Sequence, residues 1–143
     1  MKVTMMLADV VRVAEGKLDA LGAGWTIHNL GAPWAVGIII EVPWAQIGQE
    51  HTFRIVLTDD KGTIAVAPAG DAMFDASGTF KVDRQPGVLL GSAQTMPVAL
   101  AMPPLPLTPN ERYRLVLTID ELANLDWDVA FTVVDPRPNV RAG

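Results

Sequence analysis

His28 and His51 are the only side chains in this 143-residue chain whose ordinary pKa lies near neutrality. A metal site built on either would need carboxylates to complete it, and neither histidine lies in a ligand-spaced motif. His28, next to Asn29, reads as a strand-end loop residue. Asp126 and Asp128 flank Trp127. In a strand both carboxylates project to one face, where they could hold a hard cation or do acid–base chemistry. The simpler expectation is that Trp127 points inward and the two aspartates solvate the outside. Asp59, Asp60, Asp71 and Asp75 could offer calcium ligands from loops, but no EF-hand pattern is present and Asp is a common turn residue. The two serines, Ser77 and Ser92, lie outside any Gly-x-Ser-x-Gly elbow. Gly22-Ala23-Gly24-Trp25-Thr26-Ile27 begins like a dinucleotide fingerprint, but Ile27 stands where the third glycine belongs and no βαβ unit surrounds it. Cysteine is absent, which removes disulfides, thiolate metal sites and cysteine nucleophiles. The chain is therefore expected to carry no catalytic residues, no metal and no cofactor.

Recognition is the more promising chemistry. Trp127 is expected in the core, whereas Trp25, Trp34 and Trp44 lie near strand ends. Such aromatics either pack over the ends of a core or anchor a partner. The Met96-to-Leu107 segment carries no charge. Its prolines interrupt ladder pairing, so side-chain packing across Met102, Leu105 and Leu107 is the expected contact, and Leu105→Glu should dissociate an assembly built on it.

The elements that must position these residues are strands. Tyr113, Leu115, Leu117 and Ile119 alternate with Arg112, Arg114, Thr118 and Asp120 directly after a proline-containing turn. Period-two alternation marks a strand with one buried and one wet face. A Tyr at the start of such a strand is where a tyrosine corner sits, its hydroxyl bonded to nearby backbone. Lys2 to Ala8 is the first predicted strand, and Asp9 to Gly16 is either one helical turn or a bent connection. Lys17 to Ile27 is a second strand interrupted by Gly22 and Gly24. Trp34 to Val42 is apolar on both faces, as in a covered central strand. His51 to Thr58 turns through Asp59-Asp60-Lys61-Gly62 into Thr63 to Ala67. Further strands run over Ser77 to Val82, over Thr95 to Met102 with Pro97 placing it at an edge, and over Asp126 to Val134. The fold class is all-β: a Greek-key (Ig-like or jelly-roll-like) sandwich of about eight strands over residues 1–134, followed by a tail over 135–143.

Composition sets the outer bounds. Half the residues are apolar and 19% are charged, with a net charge of −5. The basic footprint of a nucleic-acid binder is missing, as is attraction to an anionic membrane. No apolar run reaches the length that spans a bilayer. Asp9 and Arg12 interrupt the apolar N-terminal run and no cleavage site follows, so a cytoplasmic location, or a virion assembled there, is expected.

Several short blocks form a recognisable set. They are Met1-Lys2-Val3-Thr4 through Leu7-Ala8-Asp9, Glu15-Gly16-Lys17-Leu18, Gly22-Ala23-Gly24-Trp25, Glu41-Val42-Pro43-Trp44, Phe53-Arg54 with its Asp59-to-Gly62 turn, and Trp127-x-x-x-Phe131-Thr132. Their order resembles a family of short actinobacterial proteins, also found in or near phage genomes, classed as a domain of unknown function. The resemblance spans nearly the whole chain and implies a compact all-β domain. It transfers no activity and no catalytic residue. The functional expectation is a non-catalytic interaction or assembly module, self-associating or bound to a protein partner, with a capsid-decoration or tail-associated protein as one form. A small-ligand or carbohydrate-binding sandwich is the alternative.

Overall fold

The computed structural model describes residues 1–137, the side chains of 123–126 excepted. Among these residues ten strands form two facing sheets and a separate hairpin. The strands are β1 (Lys2–Ala8), β2 (Val10–Ala14), β3 (Lys17–Leu21), β4 (Ile27–Asn29), β5 (Ala35–Val42), β6 (Glu50–Asp59), β7 (Asp75–Lys81), β8 (Gln94–Ala101), β9 (Arg112–Ile119) and β10 (Leu122–Val134). One sheet has the order β1-β5-β8 and the other β4-β10-β9-β6-β7, while β2 and β3 pair only with each other. All ladders are antiparallel except β4 with β10.

The alternating residues fill the space between the sheets. Val36, Ile38, Ile40 and Val42 from β5 meet Leu57 from β6, Leu115 and Leu117 from β9, and Phe131 and Val133 from β10 in one core. Tyr113 is buried, and its hydroxyl accepts the Thr108 N–H at 2.9 Å, so the expected corner is formed. Pro97 lies on β8, an edge of its sheet, as its missing N–H requires.

The second apolar face of β5 is covered by the β2–β3 hairpin. A Cβ on Gly37 would meet Leu18 Cδ2 at 2.9 Å and Met6 Cγ at 3.1 Å, so the glycine admits the hairpin against the sheet. The segment 10–14 is thus a strand, where either a helical turn or a bent connection was expected. Glu15 and Gly16, with φ of 53° and 71°, close a two-residue turn whose twist suits a hairpin. The stretch expected as one strand over 17–27 is two, β3 and β4, in different layers. Gly22 and Gly24 both have positive φ and break it, and Gly24 N–H bonds back to Leu7 C=O at 2.8 Å. Residues 63–67 make only isolated bridges, Thr58 with Ile64 and Val66 with Ala72, where a returning strand was expected. The added β2 and the division of 17–27 outnumber the lost strand over 63–67, giving ten strands among the described residues where about eight were expected.

Candidate binding cleft

One end of the sandwich is built from the loop after β4, the start of β5, and the proline-rich connection from β8 to β9. Met102 N–H bonds to Trp34 C=O at 3.0 Å and fastens the two loops together. Between them lies a cleft of about 300 Å³, lined by His28, Leu30, Pro33, Trp34, Pro103 and Leu105, with Met102 and Leu107 at its base. Pro103 and Pro104 line its outer wall with φ fixed by their rings, and the chain turns at Pro106, where Leu107 N–H bonds to Leu105 C=O at 2.8 Å.

Of the residues expected to meet a partner, Trp34, Met102, Leu105 and Leu107 converge here. Trp34, Met102 and Leu107 are 5%, 9% and 7% exposed, so they are core side chains whose edges reach the cleft. Leu105 is half-buried on the rim. Trp25 is half-buried beside them, its ring 6.2 Å from Trp34 and 5.5 Å from His28. Trp44 stands apart. It opens a short 3₁₀ turn, Trp44–Gln46, beyond the far end of β5, and Arg84 lies 4.4 Å over its ring.

His28 does not sit in an open loop. It is 4% exposed, and its ring packs against Trp25, Trp34 and Phe131. Burial pushes its pKa below the usual 6.5, which favours neutral imidazole. The Trp25 Nε1–H is buried and has no acceptor among the described residues. Local alternation pointed the other way, since Trp25 and Ile27 are the apolar alternates, yet Ile27 is 61% exposed and His28 faces inward onto the rings.

The other titratable candidates are engaged elsewhere. His51 Nδ1 lies 2.7 Å from Asp120 Oδ2 and Nε2 lies 3.1 Å from the Gln46 carbonyl. Both partners are acceptors, which suits doubly protonated imidazole and leaves no lone pair for a metal. Burial pulls the His51 pKa down, but the bonds to Asp120 and Gln46 outweigh it and the net shift is upward. Asp128 pairs with Arg114 at 2.5 Å across β9 and β10, while the side chain of Asp126 lies outside the described residues. Asp59 accepts the Lys61 and Thr63 N–H groups within its own turn. Asp75 takes Arg54 through two bonds, at 2.9 and 2.7 Å. Among the described residues no three His, Asp or Glu side chains group as metal ligands. No helix among them is long and apolar enough to cross a membrane.

Fold and site together define a β-sandwich with an apolar end-cleft. The chain belongs to the family of unknown function DUF6941, whose sequence model matches residues 3–133. No curated protein and no solved structure matches it.

Proposed function

We propose that this domain is a non-catalytic interaction module that associates with copies of itself. The observation that carries this reading is how the four edges of the two sheets are treated. At β1, the Leu7 carbonyl is taken up by Gly24 N–H, and the strand packs against β10. The β8 edge carries Pro97 and has the β2–β3 hairpin against it. The β4 edge is three residues long. The fourth edge, β7, runs for seven residues with no proline and no charge between Asp75 and Lys81, and among the described residues it joins β6 alone. Proteins ordinarily shorten, charge or cover such an edge because its free backbone groups template pairing. Ile64 and Val66, both exposed, lie on the segment that bonds Met73 just before β7 and add apolar surface beside it.

The resemblance to short actinobacterial and phage-borne proteins favours an assembly of many copies, with capsid decoration or a tail-associated role as its setting. Light scattering and sedimentation on the full chain at micromolar concentrations test the reading. A dimer or larger species is expected, and a monomer throughout that range overturns it.

A second reading, a small-ligand site, is favoured by one specific feature. The end-cleft combines apolar walls with a neutral His28 and lies beside the orphaned Trp25 Nε1–H. Trp34 is 5% exposed, and Trp25 is half-buried against Trp34 and Phe131, so little ring surface is presented to a sugar. The lining therefore suits an apolar molecule with one hydrogen-bonding group better than a carbohydrate.

A further inference from the structure

We propose that two copies of this chain pair β7 against β7, antiparallel and centred on Gly78, joining their five-stranded sheets into one continuous sheet. This rests on the self-association reading above and specifies its surface, partner and register.

The ladder fixes which backbone groups are free. Leu57 N–H bonds to Phe74 C=O at 3.0 Å, so that opposed pair belongs to the hydrogen-bonded set. Such pairs alternate along an antiparallel ladder. The next members are therefore Ile55 with Ala76, Phe53 with Gly78 and His51 with Phe80. The backbone groups of Ala76, Gly78 and Phe80 face β6. Those of Asp75, Ser77, Thr79 and Lys81 face out of the sheet edge.

A two-fold antiparallel partner can bond those outward groups only by setting odd-numbered residues opposite odd-numbered ones. Centring the pair on Gly78 sets Ser77 opposite Thr79 of the second copy and Asp75 opposite its Lys81. Every outward group on the strand is then used, and both ends of the seam carry opposite charges. Neighbouring registers lack this match. Centring on Ser77 places Lys81 opposite Met73, and centring on Thr79 places Asp75 opposite Asp83.

The side chains support the same register. Asp75, Ser77, Thr79 and Lys81 lie on the exposed face, while Ala76, Gly78 and Phe80 are half-buried. Phe80 would oppose the small Ala76 of the second copy in a position where side chains come closest. At the centre, glycine opposes glycine. The Phe53 ring already covers Gly78, and a Cβ there would fall 2.9 Å from it. Among the described residues Lys81 is paired with Asp83 alone, at 3.6 Å, which is a loose contact that a new partner can replace.

A charge-swap experiment read by native mass spectrometry and sedimentation tests the register. In Lys81→Glu the new carboxylate opposes Asp75 twice per dimer, and in Asp75→Lys two ammonium groups oppose each other twice. Each variant alone should dimerise about tenfold or more weakly than wild type. Mixed, they restore attraction at both ends, and a heterodimer is expected. Thr79→Pro removes an outward N–H without touching the β6 ladder and should also give a monomer. If Asp75→Lys unfolds through loss of its Arg54 pair, as a thermal melt would show, Lys81→Glu and Thr79→Pro decide the matter. A wild-type dimer left intact by either of these two overturns β7 pairing while self-association stands. A wild-type monomer removes both.

Discussion

The Tyr113 hydroxyl accepts the Thr108 N–H, so one side chain ties the β8–β9 connection to the core. Tyr113→Phe strands that donor at a part-buried site and should cost about 1 kcal/mol or somewhat more, read as a lower denaturant midpoint with unchanged slope. His51 and Asp120 give stability a pH dependence of known sign. The His51 pKa is raised in the fold, so its contribution is fully present below the unfolded value of 6.5 and is lost as pH rises through the folded value. The bonds from His51 and from Thr52 N–H lower the Asp120 pKa, so its contribution is present above the ordinary 3.8 and is lost as pH falls through the folded value. The melting temperature should therefore decline as pH rises from the unfolded value of 6.5 through the raised folded value of His51. His51→Gln should flatten that decline. An identical slope in the variant would show that the pair does not govern it.

At the scale of elements, the β9–β10 turn carries strain that β2–β3 partly avoids. Asp120 and Glu121 both have positive φ, 52° and 64°, with no glycine at either place. Asp120 is held there by His51 and by Thr52 N–H, whereas Glu121 is exposed and has no such bond among the described residues. Glu121→Gly should therefore raise stability by about 1 kcal/mol, because glycine meets no Cβ penalty in this region. Urea unfolding checks it; a lower midpoint would mean that chain entropy outweighs the relieved strain. The tyrosine corner, β9, the two-sided burial of β5 and the edge position of β8 were all legible, because each follows from local alternation or from one proline. The hairpin was not. Val10, Val11, Val13 and Ala14 fit a helical turn as well as a strand, and only the open face above Gly37 makes pairing with β3 favourable.

For the whole molecule, the end-cleft and the β7 edge are separate surfaces, since β4 and β7 close opposite sides of the five-stranded sheet and the cleft adjoins β4. Leu105→Glu should therefore leave the oligomeric state unchanged and abolish binding of an apolar dye in the cleft. Sedimentation and dye fluorescence measured on the same variant separate the two. Loss of the dimer in this variant would move the self-association contact to the Met102-to-Leu107 rim.

The sequence by itself determined the fold class. Alternating strands cannot leave their apolar faces wet, and facing sheets are the way to bury them. It also determined that nucleophile and ligand motifs are missing, because those depend on residue types and spacing. It marked Trp34 as an aromatic near a strand end, and Met102, Leu105 and Leu107 as apolar contacts on an uncharged segment interrupted by prolines. The tertiary structure decided that these four share one cleft, that Trp44 lies at the opposite end, and that His28 is buried among rings while His51 is bound to Asp120. It also decided which strand edge is left unpaired among the described residues. Such facts depend on contacts between residues far apart in the chain, and neither local periodicity nor spacing carries information about them.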